Sequence, residues 1–239
     1  MADYQSGAFR FLVTIGEPFM RHMTRQEWRG LEHVPAEGGC IIAPNHTSNF
    51  DPLAVAHFIV IGAKRAVHFL GKKEVVEMPV LGKLFQAAGQ IPVHRGTTNA
   101  INAYKDAIDA LNRGECIGIY PEGTTTKEPN NWPMIGKTGA ARMALATGVP
   151  VIPIAQWGPE EVMPNNKGFA FRILPRKTMR VVAGPPVDLD DLRGRDVTSE
   201  VLAEATERIM RDITGLLEPL RGEKAPAVRF NPRARGGEQ

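Results

Sequence analysis

From about residue 30 onward the chain alternates between two kinds of apolar pattern. Short continuous apolar runs occupy 39–43, 66–70, 90–93, 116–120 and 149–155. Their length and β-prone composition predict buried strands. Stretches with helical spacing separate them at 52–61, 97–112 and 136–147. In the second of these, Ile101, Tyr104, Ile108 and Leu111 share one face, and Asn112-Arg113-Gly114 ends it. Two further runs, 169–174 and 179–182, predict later strands that form an antiparallel pair. Over 198–217, Val201, Leu202, Ala205, Ile209 and Ile213 line one face of a final amphipathic helix. Strands alternating with helices predict an α/β fold: a single domain with a mostly parallel, mixed sheet flanked by helices.

The two ends depart from this rhythm. In residues 1–30, Phe9, Leu12, Val13, Gly16, Phe19, Met20 and Met23 can share one side of a helical pair broken near Pro18. Arg10, Arg21, Arg25 and Arg29 stand among them, with Trp28 close to the end. Such a face fits two uses, packing on the domain or lying in a bilayer interface. The expected division is an N-terminal amphipathic membrane-associating helical segment over 1–30, an α/β domain over 31–221 and a flexible tail over 222–239. The tail is rich in Pro, Gly, Arg and Ala.

With 239 residues, 43% hydrophobic and 23% charged, the chain has an ordinary globular composition. Its formal charge of +3 and the lack of any nucleic-acid-binding motif set nucleic acid aside. No apolar stretch reaches the roughly 18 residues of a spanning helix, and no secretory signal pattern opens the chain. Cys40 and Cys116 each start an apolar run and read as small hydrophobes rather than a disulfide. His22, His33, His57 and His68 form no pattern of metal ligands, so neither metal nor cofactor is expected.

Candidate chemistry gathers at strand ends. Asn45-His46-Thr47-Ser48-Asn49-Phe50-Asp51 lies between a buried strand and a helix opening at Pro52, at a carboxyl end where open α/β sheets bind ligands. Across a loop, Asp51 can fold back onto His46, fix its tautomer and raise its basicity. The alternative makes Asp51 a helix cap and His46 a polar loop residue. Tyr120-Pro121-Glu122-Gly123-Thr124-Thr125-Thr126-Lys127 follows another strand. Its glycine, hydroxyls and backbone N–H groups suit phosphate oxygens, or make a plain exposed turn. Arg95 closes the run 85–95, where a guanidinium can fork onto phosphate or form a structural ion pair. The run 149–155 carries two prolines, which suggests a strand that borders the sheet or widens a groove.

Taken together, these segments resemble the four sequence blocks of the glycerolipid acyltransferase family. The pair His46 and Asp51, separated by four residues, resembles the first block; 89–95 the second; Tyr120-Pro121-Glu122-Gly123-Thr124 the third; and Val149-Pro150-Val151-Ile152-Pro153 the fourth. The blocks keep the family's order. The resemblance implies O-acyl transfer from acyl-CoA or acyl-carrier protein to the hydroxyl of a lysophospholipid, centrally 1-acylglycerol 3-phosphate. It implies His46 as general base and Asp51 as its orienting carboxylate. Arg95, Glu122, Gly123 and Thr124 would hold the acceptor's phosphate end, with Glu122 positioning Arg95 or a lysine. Thr125 and Thr126 stand where the family usually carries an arginine and a serine, and Lys127 and Lys137 are the two candidates for the missing charge. The same blocks occur in enzymes acting on other acceptors, and a transacylase is a further alternative. A membrane-borne acceptor and a cytoplasmic donor place a peripheral or monotopic enzyme on the cytoplasmic face of the cell membrane.

Overall fold

A computed structural model of the chain describes residues 7–72, 91–93, 98–164 and 171–234. Seven strands are present among them: β1 (Thr24–Arg29), β2 (Cys40–Pro44), β3 (Val67–Lys72), β4 (Ile91–Val93), β5 (Cys116–Gly118), β6 (Val151–Trp157) and β7 (Lys177–Ala183). They form one sheet in the order β1-β7-β6-β2-β5-β3-β4. Only the β6–β7 pairing is antiparallel; the others are parallel. The helices are α1 (Gly7–Met23), α2 (Asp51–His57), α3 (Thr98–Asn112), α4 (Gly139–Thr147), the single turn α5 (Pro159–Val162) and α6 (Ser199–Arg221). A π-helical turn, Phe58–Gly62, extends α2.

Alternating side chains send the central strands into two cores. Ile41, Ala43, Ile117 and Val151 pack with the buried faces of α3, α4 and α6. Cys40, Ile42, Cys116, Ile152 and Ile154 face the other way, onto Phe9 of α1 and onto Val55, Phe58 and Ile59. A sheet that is apolar on both faces needs such a helical layer on each side. Cys40 and Cys116 are register partners, buried and unoxidised. Thr198 caps α6 by accepting the N–H of Val201, and Gly222 ends it in a left-handed conformation at φ 68°.

Four expectations change. The N-terminal segment is one helix that runs through Pro18, not a broken pair, because Phe9 and Met20 anchor both of its halves. Residues 24–29 are a strand rather than helix. Thr24, Gln26 and Trp28 turn inward while Arg25, Glu27 and Arg29 stay in water, which gives the sheet a charged edge. The expected strand at 169–174 is irregular over its described residues, and β7 pairs antiparallel with β6 instead. β6 is also interior to the sheet, between β7 and β2. Pro153 is tolerated because it precedes the first β6–β7 pair, Ile154↔Ala183, so its missing donor falls outside that ladder.

Part of the tail is held on the surface. Ile135 donates its N–H to the Phe230 carbonyl at 3.0 Å, and Arg229 pairs with Glu207 of α6.

Candidate active site

Three neighbouring strands, β6, β2 and β5, run out at the same end of the sheet, and their following loops meet there. Asn45, the first residue past β2, is locked to β6. Its side-chain amide donates to the Gln156 carbonyl at 3.1 Å, and its Oδ1 accepts the Gln156 N–H at 2.8 Å. In return Gln156 Nε2 donates to the Asn45 carbonyl at 2.9 Å. The Asn45 backbone N–H still donates to the Ile154 carbonyl at 3.3 Å, so its side chain extends the strand pairing at the point where the loop leaves the sheet.

His46 comes next, and the loop after β5 holds its backbone from both sides. Glu122 Oε1 accepts the His46 N–H at 2.8 Å, while the Thr126 N–H donates to the His46 carbonyl at 2.7 Å. Glu122 spends its other oxygen on the Met134 N–H at 3.0 Å. Both carboxylate oxygens thus serve buried backbone amides, a bracing role that the sequence motif does not show. Desolvation raises its pKa to about 8, against the lowering effect of those two amides.

The loop then folds back at the first turn of α2. Asp51, wholly buried, places one oxygen, Oδ2, 2.8 Å from His46 Nδ1. The same oxygen accepts the N–H groups of Thr47 at 2.6 Å and Ser48 at 2.9 Å. An oxygen that takes two amide donors is an acceptor, so Nδ1 carries the proton and donates. Nε2 is left as the basic nitrogen of the ring. The alternative, Asp51 as a mere cap and His46 as an unattached loop residue, does not describe this geometry.

The glycine turn lies alongside. Gly123 has φ 71°, and a Cβ there would come within 2.9 Å of both Cδ and Nζ of Lys137. The dihedral favours glycine, and any larger residue would also push the lysine side chain aside. The Lys137 N–H donates to the Pro121 carbonyl at 2.8 Å, which fixes the lysine beside the turn. Thr124 is half-buried in the same turn. Arg95 lies outside the described residues.

Several contributors were quoted in the sequence without a role, or were not singled out. Asn45 and Tyr120 belong to the first and third blocks; Gln156 and Glu160 follow the fourth. Tyr120 stacks on the His46 ring, with centroids 4.1 Å apart and planes at 26°. Glu160 accepts the Gly158 N–H with both oxygens, at 3.0 and 2.9 Å, and reaches toward the Thr47 hydroxyl. Desolvation first, and then the Asp51 and Glu161 charges, raise its pKa to about 7. Among the described residues, no group of three or more His, Cys, Asp or Glu is disposed to hold a metal ion. None of the described helices is long and apolar enough to cross a membrane. Chemically, the arrangement is a buried carboxylate–imidazole pair with one basic nitrogen beside a lysine-flanked glycine turn.

Comparisons with known proteins place the chain in a family. A family model described as Acyltransferase matches residues 25–157, more than half of the chain. The 1-acyl-sn-glycerol-3-phosphate acyltransferase of Bacillus subtilis is 27% identical over 185 residues, covering 77% of this chain and 84% of that protein. The chloroplastic 1-acyl-sn-glycerol-3-phosphate acyltransferase BAT2 of Brassica napus is 27% identical over 161 residues. That match covers 66% of this chain but 44% of the plant protein, less than half of its length. Among solved structures, the 1-acyl-sn-glycerophosphate acyltransferase of Thermotoga maritima superposes with a TM-score of 0.66 at 21% identity. It covers 91% of this chain and 83% of that one, and the two share a fold.

Proposed function

The chain belongs to the acyltransferase family, and from that premise we propose that it moves a fatty acyl group from acyl-CoA or acyl-carrier protein to the free hydroxyl of 1-acylglycerol 3-phosphate, giving phosphatidic acid. The observation that carries this reading is the 2.8 Å contact of His46 Nδ1 with buried Asp51, which leaves Nε2 as the base. The names of the relatives supply the acceptor.

The hydroxyl of a glycerol is a poor nucleophile near neutral pH, and a placed base contributes roughly 10²- to 10⁴-fold. His46 Nε2 takes its proton as the oxygen attacks the thioester carbonyl. Asp51 stabilises the imidazolium that forms. When the C–S bond breaks, the departing sulfur takes the proton back, and ester and free thiol result. No acyl-enzyme is involved. In this reading Lys137, whose side chain lies against Gly123, receives the phosphate of the acceptor together with Thr124 and Arg95.

Access to a bilayer-borne acceptor would come through α1. Phe11, Ile15 and Phe19 project into solvent at four-residue intervals, the first two more than half exposed. Phe171 stacks on Phe19 at 6.4 Å and extends the apolar strip, and exposed Arg10, Arg21 and Arg25 accompany it. Such a face suits the interface on the cytoplasmic side of a membrane.

The test is free-thiol release from palmitoyl-CoA and oleoyl-CoA by the purified chain with vesicles holding 1-acylglycerol 3-phosphate. Release that depends on the acceptor, yields phosphatidic acid and vanishes in His46→Ala is the expected result. Thr125, in place of a cation, favours a second reading with another acceptor; release seen only with other lysophospholipids would establish it. Activity without any thioester would replace both with a transacylase.

A further inference from the structure

Parallel pairing delivers a row of rings to the catalytic histidine. Gly118 of β5 pairs with Ile42 of β2 on one side and with Phe69 of β3 on the other. A Cβ at Gly118 would lie 2.5 Å from the Phe69 ring, so that ring lies across a strand position where any side chain would have to displace it. Two residues further on, Tyr120 lies in the same core as Phe69, with centroids 6.0 Å apart and planes at 17°. Beyond Tyr120 comes His46, at 4.1 Å and 26°. Three nearly parallel rings thus run from the sheet to the proposed base.

The hydroxyl of Tyr120 does not explain its placement. Its oxygen is buried without a well-formed hydrogen bond, as is the nearby Gln156 Oε1. Burial, and then the Asp51 charge, push its ionisation well above the ordinary phenol range, with the Gln156 side chain opposing weakly. It therefore stays a neutral phenol and brings no charge to the site. What Tyr120 presents to His46 is the face of its ring.

One hydrogen bond fixes a direction but leaves a plane free. Asp51 meets the imidazole at its Nδ1 edge, and rotation about that contact would swing the plane of the ring. We propose that Tyr120 is a positioning residue for His46: its face sets the plane of the imidazole and stabilises the imidazolium formed when Nε2 takes the substrate proton. An aromatic face attracts a cation held against it, more strongly where water is excluded. The other charged groups around His46 act from elsewhere: Asp51 at the start of α2, Glu122 on its backbone, Glu160 across Thr47, and Lys137 over the glycine turn.

This inference rests on His46 being the base, and its test separates the two. NMR titration of the His46 imidazole, assigned by its absence in His46→Ala, needs no substrate. We expect Tyr120→Phe to titrate within about 0.2 pH unit of the parent, because the face is kept. Tyr120→Leu should titrate about 0.5 to 1 unit lower, since the imidazolium has lost its partner; Tyr120→Met gives the same reading should the leucine variant not fold. In thiol release, the leucine variant should lose about tenfold in kcat with KM little changed, and phenylalanine should restore most of it. A leucine or methionine variant with the parent's midpoint overturns the proposal. So does a phenylalanine variant shifted as far as leucine, which would assign the effect to the hydroxyl. The midpoint decides this inference even where no acceptor supports turnover, an outcome that would remove the proposed function instead.

Discussion

Glu122 and His46, 76 residues apart, are joined by a 2.8 Å hydrogen bond from the histidine N–H to the carboxylate. Thr126, four residues past Glu122, closes the other side by donating to the His46 carbonyl. The proposed base is thus fixed through its main chain by a different strand end, before its side chain is considered. A glutamine at 122 can still accept from His46, but its amide then confronts the Met134 N–H, donor against donor. Glu122→Gln should lose about 10- to 100-fold in thiol release through displacement of His46. Glu122→Ala orphans two buried amides and should cost about 2 to 5 kcal/mol in denaturant unfolding. A Glu122→Gln variant with parental kcat would show that the brace does not govern the catalytic geometry.

The same burial sets a pH dependence of stability. Desolvation raises Glu122 to about 8 and Glu160 to about 7, both above the ordinary value of 4.5. In that window the folded chain holds protons that the unfolded chain has released. Unfolding then releases protons, so stability falls as pH rises from 4.5, through about 7 for Glu160 and about 8 for Glu122. Urea unfolding between pH 5 and pH 9 should show this decline. Glu160→Gln should flatten it up to about pH 7, and Glu122→Gln across the whole span up to about pH 8. Slopes identical to the parent in both variants would contradict the assignment.

Asp51→Asn tests the other half of the site. An asparagine can turn its amide toward Nδ1, which favours the opposite tautomer and leaves Nε2 protonated and useless as a base. It also withdraws the charge from the oxygen that three donors share. We expect a loss of about 10² to 10⁴ in kcat, with KM for the thioester changed far less. The pH profile of kcat/KM should change shape as well as height. Near-parental activity would remove Asp51 from the mechanism.

How much of this was legible in the sequence depended on where the interactions run. β2 and β6 carry continuous apolar runs because both of their faces are covered, and these were visible. β1 was not: its outward Arg25, Glu27 and Arg29 fell into a helical reading of the N-terminal stripe, and its partner β7 is about 150 residues away. His46 and Asp51 were readable because a short loop joins them. Glu122 stands in a readable block, but its bracing of remote backbone amides leaves no local spacing to read. Gln156, in β6, and Glu160, in the turn α5 that follows it, meet the site only through sheet order. Tyr120 was in plain view within its block, but its stack on His46 depends on β2 and β5 being neighbours.

Gly118→Ala probes that dependence from outside the site. The added methyl would stand 2.5 Å from the Phe69 ring, which must move. Overpacking of this kind costs about 1 to 3 kcal/mol, and the displaced ring would press on Tyr120. Melting should therefore shift downward, and Gly118→Ala/Phe69→Leu should recover much of the loss by making room. If the double variant is no more stable than the single one, the contact with Phe69 is not what Gly118 protects.

The strip on α1 makes a prediction about partition rather than chemistry. Phe11 and Ile15 are 54% and 56% exposed and contribute little to the core. Replacing both with serine should leave the unfolding free energy within about 0.5 kcal/mol of the parent. In a bilayer interface, however, the same side chains would bury apolar area worth about 25 cal/mol per Å². Partition into anionic vesicles should then fall by about 10- to 100-fold for Phe11→Ser/Ile15→Ser. Raising salt should weaken binding of parent and variant alike, because Arg10, Arg21 and Arg25 are untouched. Turnover on acceptor in vesicles should fall with partition, while turnover on a short-chain soluble acceptor should not. Equal vesicle binding by parent and double variant would return this face to ordinary exposed surface and move the route of the acceptor elsewhere.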